Sequence, residues 1–283
     1  MKKSFSSFAR YLLVVCVCQW PVSLANGQGA LQEYLETLAP ETELSFLIQS
    51  ADGTRLAEYH PDKQIPSASI IKIPILLTLL EAVEKDELSL DDRYRLRSQD
   101  KVGGAGALQF QADGSLLTYR TLASEMIRIS DNTATNILID KLGMERIQDW
   151  LKGRGFTATQ LNRKMMDFAA IEQGKQNYTS PGEINQILLM LLDSKSVSAE
   201  TAASARQLLA ACEDRQTLPA RLPQQLEVAH KTGTLDYVRG DAGIIFGKQP
   251  LVISVFVEHF QEIEEAEKII AEIGRLAYES YGN

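Results

Sequence analysis

The spacing of apolar and polar residues changes from helical to strand-like and back along the chain. An opening helix is predicted by apolar residues at helical intervals that end at a proline: Leu31, Tyr34, Leu35, Leu38 and Pro40. Residues 43–49 and 55–59 then predict two strands. The four residues between them contain Asp52-Gly53, a pair typical of hairpin turns. The start of the chain therefore supplies a helix followed by a strand pair.

The middle of the chain, from residue 69 to about 192, has mostly helical spacing. Strand-like runs return near the end, at 228–234, 242–246 and 251–257. Residues 261–281 form an amphipathic helical pattern. The last third of the chain therefore supplies three more strands and a closing helix.

Strands at both ends with helices between them predict an α/β (α+β) fold. We expect an antiparallel sheet flanked by the N- and C-terminal helices, with an all-helical second lobe inserted. The sheet lobe is placed at about 26–65 and 215–283, and the helical lobe at about 66–214. A ligand site is expected in the cleft between the two lobes.

Composition and charge exclude several classes of protein. The 283 residues are 45% hydrophobic and 23% charged, as in ordinary globular proteins. The formal net charge of −8 argues against non-specific binding to nucleic acid or anionic membranes. The three histidines, His60, His230 and His259, stand far apart, so a His-based zinc hydrolase is disfavoured. We expect neither a metal nor a cofactor.

The N-terminus has the order of residues found in a secretory signal peptide. A basic start is followed by an apolar run at 11–18, which is too short to span a bilayer, and then by Ser23-Leu24-Ala25. We predict a signal peptide at 1–25 with cleavage after Ala25, and an exported, periplasmic or secreted domain at 26–283 without stable membrane insertion. Cleavage would leave Cys212 as the remaining cysteine, and thus no intrachain disulfide.

Three short motifs could carry chemistry. Ser69 and Lys72 lie three residues apart at the start of an apolar helix and would share one face, so the amine could activate the hydroxyl. Ser-x-x-Lys alone also fits a capping serine beside a solvated lysine. Ser130-Asp131-Asn132 likewise fits a cluster of helix-capping residues.

The third motif is Lys231-Thr232-Gly233-Thr234, on a predicted strand. The glycine would let a ligand approach the backbone, and the lysine could hold an anionic substrate. The alternative is an edge strand protected by a lysine. Taken singly, none of the three motifs decides a function.

Together and in this order, the motifs resemble the signature of the serine β-lactamase and penicillin-binding protein superfamily. The two motif serines are 61 residues apart, and Lys231 follows Ser130 by 101 residues. The flanking residues 66–68 and 240–245 make the resemblance closest to class A β-lactamases. It extends from about residue 28 to the C-terminus and implies a β-lactamase/transpeptidase-like fold.

The resemblance implies catalytic roles for three residues. Ser69 would attack the β-lactam carbonyl and form an acyl-enzyme. Lys72 would help to take the proton of Ser69, and Ser130 would pass a proton to the leaving ring nitrogen. The backbone N–H groups of Ser69 and Thr234 would form the oxyanion hole.

The resemblance also implies a substrate-binding set. Asn132 would bind the acylamide side chain of the substrate, and Lys231 with Thr232, Gly233 and Thr234 would hold its carboxylate. Asp131 is expected to hold its own loop. Arg239 could be a second carboxylate partner, but a solvated turn arginine is the favoured interpretation.

One loop departs from class A, where a glutamate in Arg-x-Glu-x-x-x-Asn activates the deacylating water. Aligned on Arg163, the glutamate position is Met165 and the asparagine position is Ala169. Asp167 is the nearest acid, whereas Glu172 resembles a solvated charge. The salt-bridging aspartate that ends the family's loop falls on Asn177. The sequence therefore does not identify which residue serves as the base for deacylation.

Three functions stay under consideration. The favoured one is a class A type β-lactam hydrolase that deacylates slowly or by a variant base, and it is expected to be a monomer. The size, the flanking motifs and the lack of an anchor or extra domain favour it. A covalent β-lactam-binding inactive homologue and a D-alanyl-D-alanine peptidase acting on peptidoglycan stem peptides are the alternatives, which the missing glutamate favours.

Overall fold

The centre of the fold is a six-stranded antiparallel sheet built from both ends of the chain. The computed structural model describes residues 23–24, 29–39, 41–193 and 195–283. Its strands are β1 Ser23–Leu24, β2 Glu43–Ser50, β3 Arg55–Tyr59, β4 Ile65–Pro66, β5 Arg93–Arg95, β6 Leu116–Thr118, β7 Tyr178–Thr179, β8 Val228–Leu235, β9 Val238–Ile245 and β10 Leu251–Glu258. The large sheet has the order β1-β3-β2-β10-β9-β8. Its two halves join where β10 pairs with β2 over eight residues.

Nine α-helices surround this sheet in the described part of the chain. They are α1 Gly29–Thr37, α2 Lys72–Glu84, α3 Tyr119–Arg128, α4 Asn132–Leu142, α5 Met144–Lys152, α6 Phe168–Glu172, α7 Pro181–Leu189, α8 Ala199–Ala210 and α9 Ile263–Ala277. The mixed fold with an antiparallel sheet and flanking helices is confirmed. The second lobe is helical but also contains the short ladders β4–β7 and β5–β6.

Two apolar clusters hold the lobes. One joins one face of the sheet to α1 and α9 and includes Phe46, Ile253 and Ile270. The other joins the opposite face to the helical lobe and centres on α2, which is apolar almost all round and therefore buried on every side. Because both sheet faces are covered, β9 and β10 are buried along their whole length.

Strand β9 begins earlier than the sequence pattern predicts. The apolar run starts at Ala242, but the strand starts at Val238, because Arg239 and Asp241 are buried in it with charged partners. Polar residues that are paired inside a sheet look like a turn in the sequence. Arg239 therefore lies in a strand, and its interpretation as a solvated turn residue is wrong.

The predicted signal peptide falls mostly outside the described residues. Its Ser23–Leu24 pair is described and forms β1 at the sheet edge, beside Glu58 and Ala57. No helix within the described ranges has the length and apolar character to cross a membrane.

Candidate active site

The first motif lies where a short helical turn leads into α2. Ser69 is in the turn Ala68–Ile71, and α2 begins at Lys72. The Lys72 Nζ atom lies 3.0 Å from the Ser69 Oγ atom, so the face predicted from the spacing is formed. Ser69 is half-buried and opens to the cleft, whereas Lys72 is fully buried behind it.

Lys72 is the hub of the site. Besides Ser69, its Nζ contacts the Ser130 carbonyl oxygen at 2.7 Å, the Ser130 Oγ at 2.9 Å and the Asn132 Oδ1 at 3.0 Å. All of these partners are uncharged. Burial, helped by the nearby Lys231 charge and opposed by Asp131, lowers the pKa of Lys72 well below its usual value of 10.5. A buried amine with a lowered pKa is suited to accept the proton of a serine.

The second motif turns sharply to reach Lys72. Ser130 has a φ of 59°, which is the left-handed region, and this brings both its carbonyl and its hydroxyl to the amine. Asp131 caps α4 by accepting the Ala134 N–H at 2.8 Å and also accepts the Leu108 N–H at 2.8 Å. Asp131 thus joins its own helix to the neighbouring loop 103–108, rather than facing the cleft.

The third motif closes the cleft from the sheet side. Gly233 on β8 packs against the serine turn: a Cβ added there would lie 3.0 Å from both the Ala68 Cβ and the Ser67 carbonyl oxygen. Lys231 is buried, and its Nζ donates to the Thr232 carbonyl at 2.9 Å. Burial, with Arg239, lowers the pKa of Lys231 against the pull of Cys212, Asp241 and Asp214.

A cleft of about 500 Å³ unites the three motifs. Its walls are formed by Ser69, Gly104, Ala105, Arg128, Ile129, Ser130, Asn132, Met166, Cys212, Glu213, Asp214, Lys231, Thr232 and Thr234. Lys72 lies behind this wall and contacts three of its members. The residues predicted for catalysis and binding are therefore brought to one place.

Arg239 belongs to the same wall through its contacts. Its side chain is 3% exposed and donates to the Thr234 Oγ1 at 2.9 Å. It also makes ion pairs of 2.8 Å with Asp214 and 2.9 Å with Glu267. The Arg239 guanidinium thus fixes the Thr234 hydroxyl, one of the two threonine hydroxyls that follow Lys231 in the third motif. The strand pairing of Thr234 with Arg239, which sequence spacing did not predict, creates this contact.

The loop that departs from class A places methionines beside the cleft. The Asn136 side chain accepts the Met165 N–H at 2.8 Å and donates to the Met165 carbonyl at 3.0 Å, which pins this position. The Met165 side chain is 7% exposed, whereas Met166 lines the cleft. A Cβ on Gly104 would lie 3.0 Å from the Met166 sulfur. The sequence alignment identified the first of these methionines but missed the second.

The acids of this loop lie away from Ser69. Asp167 caps the short helix α6 by accepting the Ala170 N–H at 3.0 Å, and it lines a neighbouring groove rather than the cleft. Glu172 is exposed at the end of α6. Within the described chain, the carboxylates that line the cleft are Glu213 and Asp214, which pair with Arg128 and Arg239.

One group of possible metal ligands among the described residues lies outside the lining of the cleft. Glu43, Glu258 and His259 bring their ligand atoms within 4.8 Å of one another. The Lys63 Nζ already lies 3.0 Å from Glu43 and 2.5 Å from Glu258. The ammonium pairs with both carboxylates, so the group is an ion-pair cluster.

Comparison with known proteins identifies the family, since residues 29–281 match the Beta-lactamase enzyme family. The chain belongs to the class A serine β-lactamase family. Among the relatives of this class A chain, β-lactamase VEB-1 of Pseudomonas aeruginosa is 28% identical over an alignment of 305 residues, which covers 97% of this chain and 98% of that protein.

Solved structures extend the likeness of this class A chain. A β-lactamase from Sphaerobacter thermophilus is 29% identical, with a TM-score of 0.84 and coverage of 90% of this chain and 97% of that one. PBP-A is 27% identical, with a TM-score of 0.81 and coverage of 92% and 99%. An acyl-enzyme complex of penicillin-G with a leucine-to-glutamate mutant of PBP-A is 28% identical, with a TM-score of 0.81 and coverage of 90% and 96%.

Proposed function

We propose that this class A chain is an exported serine hydrolase that opens the β-lactam ring through an acyl-enzyme on Ser69 and deacylates slowly. The observation that carries the proposal is the contact of the buried Lys72 amine with both Ser69 and Ser130. Export with removal of residues 1–25 is part of the proposal and is supported by the residue order of the N-terminus.

In the proposed acylation, Lys72 takes the proton of Ser69 as its Oγ attacks the carbonyl of the ring. Lys72 also contacts the Ser130 hydroxyl, so a proton can pass through Ser130 to the nitrogen that leaves. The atoms balance, because Ser69 loses one proton and the ring nitrogen gains one. The Ser69 and Thr234 backbone N–H groups are the proposed donors to the oxyanion.

The substrate is proposed to bear a carboxylate. Lys231, Thr232 and Thr234 line the same side of the cleft, and Arg239 holds the Thr234 hydroxyl from behind. Charge-assisted hydrogen bonds of this kind favour an anionic group. Asn132 faces the cleft from the other lobe and is proposed to bind the acylamide side chain.

Slow deacylation is proposed because no carboxylate of the described chain faces Ser69 without an ion-pair partner. Met166 occupies the loop side of the cleft, and thioether sulfur cannot accept a proton from water at neutral pH. Loss of a general base typically costs about 10²–10⁴-fold in rate. The acyl-enzyme should therefore accumulate.

A D-alanyl-D-alanine peptidase is a second candidate, favoured by the methionines in this loop and by the likeness to PBP-A. It would use the same serine, lysine and carboxylate pocket on a peptide that ends in a free carboxylate. The two candidates differ in their substrate and in the fate of the acyl group.

The test is a pre-steady-state assay with a chromogenic cephalosporin, with mass spectrometry of the protein on the same samples. We expect a burst of about one product per protein, an adduct on the peptide that contains Ser69, and then a slow steady rate. The Ser69→Ala variant should show neither burst nor adduct. An adduct that still forms in this variant would show that Ser69 is not the nucleophile.

The slow phase identifies the base. Asp167→Asn preserves the cap of α6 and should leave burst and slow phase unchanged, since Asp167 does not line the cleft. Met165→Glu and Met166→Glu, compared as a pair, should accelerate the slow phase only where the new carboxylate reaches the ester. Loss of the slow phase in Asp167→Asn would instead identify Asp167 as the base.

A diacylated Lys-D-Ala-D-Ala peptide separates the two candidates. Release of D-alanine at a rate above that of cephalosporin turnover would favour the peptidase. A burst with neither later turnover nor D-alanine release would identify a covalent β-lactam-binding homologue, which would contradict the proposed hydrolysis.

A further inference from the structure

A polar cluster lies behind the carboxylate-binding wall and takes no part in the proposed acylation. Cys212 follows α8 and lines the cleft, with 4% of its surface exposed. His230, which precedes Lys231 on β8, and Asp241, on the neighbouring strand β9, are fully buried.

Asp241 is held as a carboxylate. It accepts the Thr217 hydroxyl at 2.6 Å and the Leu218 N–H at 3.1 Å. Its remaining contact is His230 Nδ1 at 2.9 Å, and since a carboxylate can only accept, Nδ1 carries the proton. The ring is thereby fixed in tautomer and orientation, as in catalytic triads.

The other ring nitrogen, His230 Nε2, is buried and makes no hydrogen bond of standard geometry among the described residues. The Cys212 side chain is close enough to this ring to interact with it, in a contact looser than such a bond. Gly243 makes room for this ring, because a Cβ there would lie 2.4 Å from the His230 Cβ.

The charges around the thiol favour its ionised form. Burial opposes ionisation of Cys212, but the His230 hydrogen bond and charge, with the charge of Lys231, lower its pKa in spite of Asp241. Burial would lower the pKa of His230, but the charge and hydrogen bond of Asp241, with help from Cys212, raise it to about 10. Both shifts favour the ionised pair, a thiolate beside an imidazolium, over the neutral pair.

We propose that Cys212 is a covalent modification site in the wall of the active-site cleft, where a small hydroperoxide oxidises its thiolate to a sulfenic acid. Two independent features point to it: Cys212 lines the cleft, and the neighbouring His230 has a fully buried ring nitrogen, Nε2, without a standard hydrogen-bond partner among the described residues. The narrow exposure admits a small oxidant and excludes bulky ones. Reactive cysteines occupy such partly exposed, electropositive surroundings.

The step balances with hydroperoxide as the oxidant. The Cys212 sulfur attacks one peroxide oxygen, so that an S–O bond forms and the O–O bond breaks. Sulfur loses two electrons to the peroxide and keeps the OH group that it attacks. The other oxygen leaves as hydroxide from hydrogen peroxide, or as alkoxide from an alkyl hydroperoxide, and takes the proton of His230 Nε2 to become water or an alcohol. For this oxidation, His230 is the proton donor and Asp241 is the positioning residue.

The oxidation would also affect the neighbouring pocket, an effect that rests on the proposed function. A sulfenic oxygen on Cys212 adds a polar atom beside Lys231 and removes the negative charge that faces it. Both changes alter the group that is proposed to hold the substrate carboxylate. We expect oxidised protein to be acylated at least several-fold more slowly by carboxylate-bearing β-lactams.

The first test treats the folded protein with hydrogen peroxide, traps sulfenic acid with dimedone and maps the peptide 207–215, which separates Cys212 from Cys16 and Cys18. Below its pKa, an ordinary thiol reacts about tenfold faster for each unit by which the pH rises, because only the thiolate reacts. We expect the labelling rate of Cys212 to level off at a lower pH than that of an ordinary thiol, whose pKa is near 9. A rate that levels off only near pH 9, or no labelling of folded protein, would overturn the proposal.

The variant His230→Asn tests the role of the ring. It should restore the ordinary pH dependence and slow the labelling at pH 7 by about 10-fold or more. If this variant does not fold, the pH profile of the unmodified protein still decides. Ser69→Ala should be oxidised at the unchanged rate, so failure of the proposed function would leave this result readable.

The second test compares acylation rates before and after peroxide, each protein serving as its own reference. The unmodified sequence should slow on oxidation and recover with dithiothreitol, whereas Cys212→Ser should show no change. Equal losses in both proteins would place the damage elsewhere, on a methionine for example, and would contradict the proposed effect on the pocket.

Discussion

At the scale of single residues, Lys72 and Lys231 are both buried, but their different surroundings suit them to different roles. Both are fully buried and both have a lowered pKa, but their surroundings differ. Lys72 is surrounded by neutral oxygen atoms, so little opposes the lowering of its pKa by burial. Lys231 has three acidic neighbours, Cys212, Asp241 and Asp214, which support its charge. The first is suited to take a proton and the second to hold an anion.

The pH dependence of acylation should report Lys72. Only the neutral amine can accept the Ser69 proton, so the rate should rise with pH through the lowered pKa and level off well below pH 10.5. Stopped-flow acylation at saturating cephalosporin checks this. The Lys72→Arg variant keeps the charge without a usable base and should lose about 10²-fold or more. An acid limb centred near pH 10.5 would contradict the prediction.

Replacing Lys231 by Ala should discriminate between substrates. The loss in acylation rate should be at least tenfold larger for a carboxylate-bearing β-lactam than for its methyl ester, because only the carboxylate makes charge-assisted bonds. The measurement is the acylation rate constant for both compounds. Equal losses would mean that Lys231 only supports the structure.

At the scale of elements, the loop 161–177 is closed by neutral hydrogen bonds. The Asn177 Oδ1 accepts the N–H groups of Asn162 at 2.8 Å and Arg163 at 3.0 Å, and its Nδ2 donates to the Arg163 carbonyl at 3.1 Å. The Arg163 guanidinium donates to the Gln176 side chain, and burial lowers the pKa of Arg163. The salt bridge expected of the family at this point is replaced by an amide network.

The variant Asn177→Ala should open this loop. Loss of three hydrogen bonds in a buried position should cost about 2–3 kcal/mol, which is roughly 5–10 °C in Tm for a domain of this size. Calorimetry checks the change. Asn177→Asp keeps both acceptor contacts and adds a charge for Arg163, so it should lose less. A larger loss in the aspartate variant would contradict this ranking, because the buried charge would then cost more than the two retained acceptor contacts contribute.

At the scale of the whole molecule, the site exists only where the two lobes meet. The helical lobe supplies Ser69, Lys72, Ser130 and Asn132, whereas the sheet supplies Lys231 to Thr234. Behind the sheet wall lies the buried Cys212–His230–Asp241 cluster, whose His230 and Asp241 belong to β8 and β9. Protonation of that cluster should therefore appear in the unfolding equilibrium.

The pH dependence of stability should report His230. Since its pKa is raised from 6.5 to about 10, its contribution is fully present below pH 6.5 and is lost as pH rises through 10. Cys212 contributes with the opposite sign, so Cys212→Ser isolates the histidine. Urea unfolding should show a decline in stability between pH 7 and 10 in this variant. The decline should be absent when His230→Gln is added, and identical slopes would contradict the raised pKa.

The sequence alone determined the main elements and the residues of the three motifs. A period of 3.6 or 2 follows from local geometry, so α2, the hairpin and β10 could be predicted within a residue or two. The order of the motifs identified the family, and helical spacing placed Lys72 beside Ser69. Element periods and the spacing of Ser69 and Lys72 involve residues close together in the sequence, so they can be predicted without the tertiary structure.

The tertiary structure decided which charged residues are buried and which partners they have, because residue spacing along the chain does not encode these contacts. Strand pairing buried Arg239 and set it against Thr234, although in the sequence it looks like a solvated turn residue, and the same strand buried Asp241 in contact with His230. The fold of the loop turned Met166 toward the cleft and Asp167 away from it. Both outcomes depend on contacts between residues distant in sequence, where burial and pairing outweigh local preference.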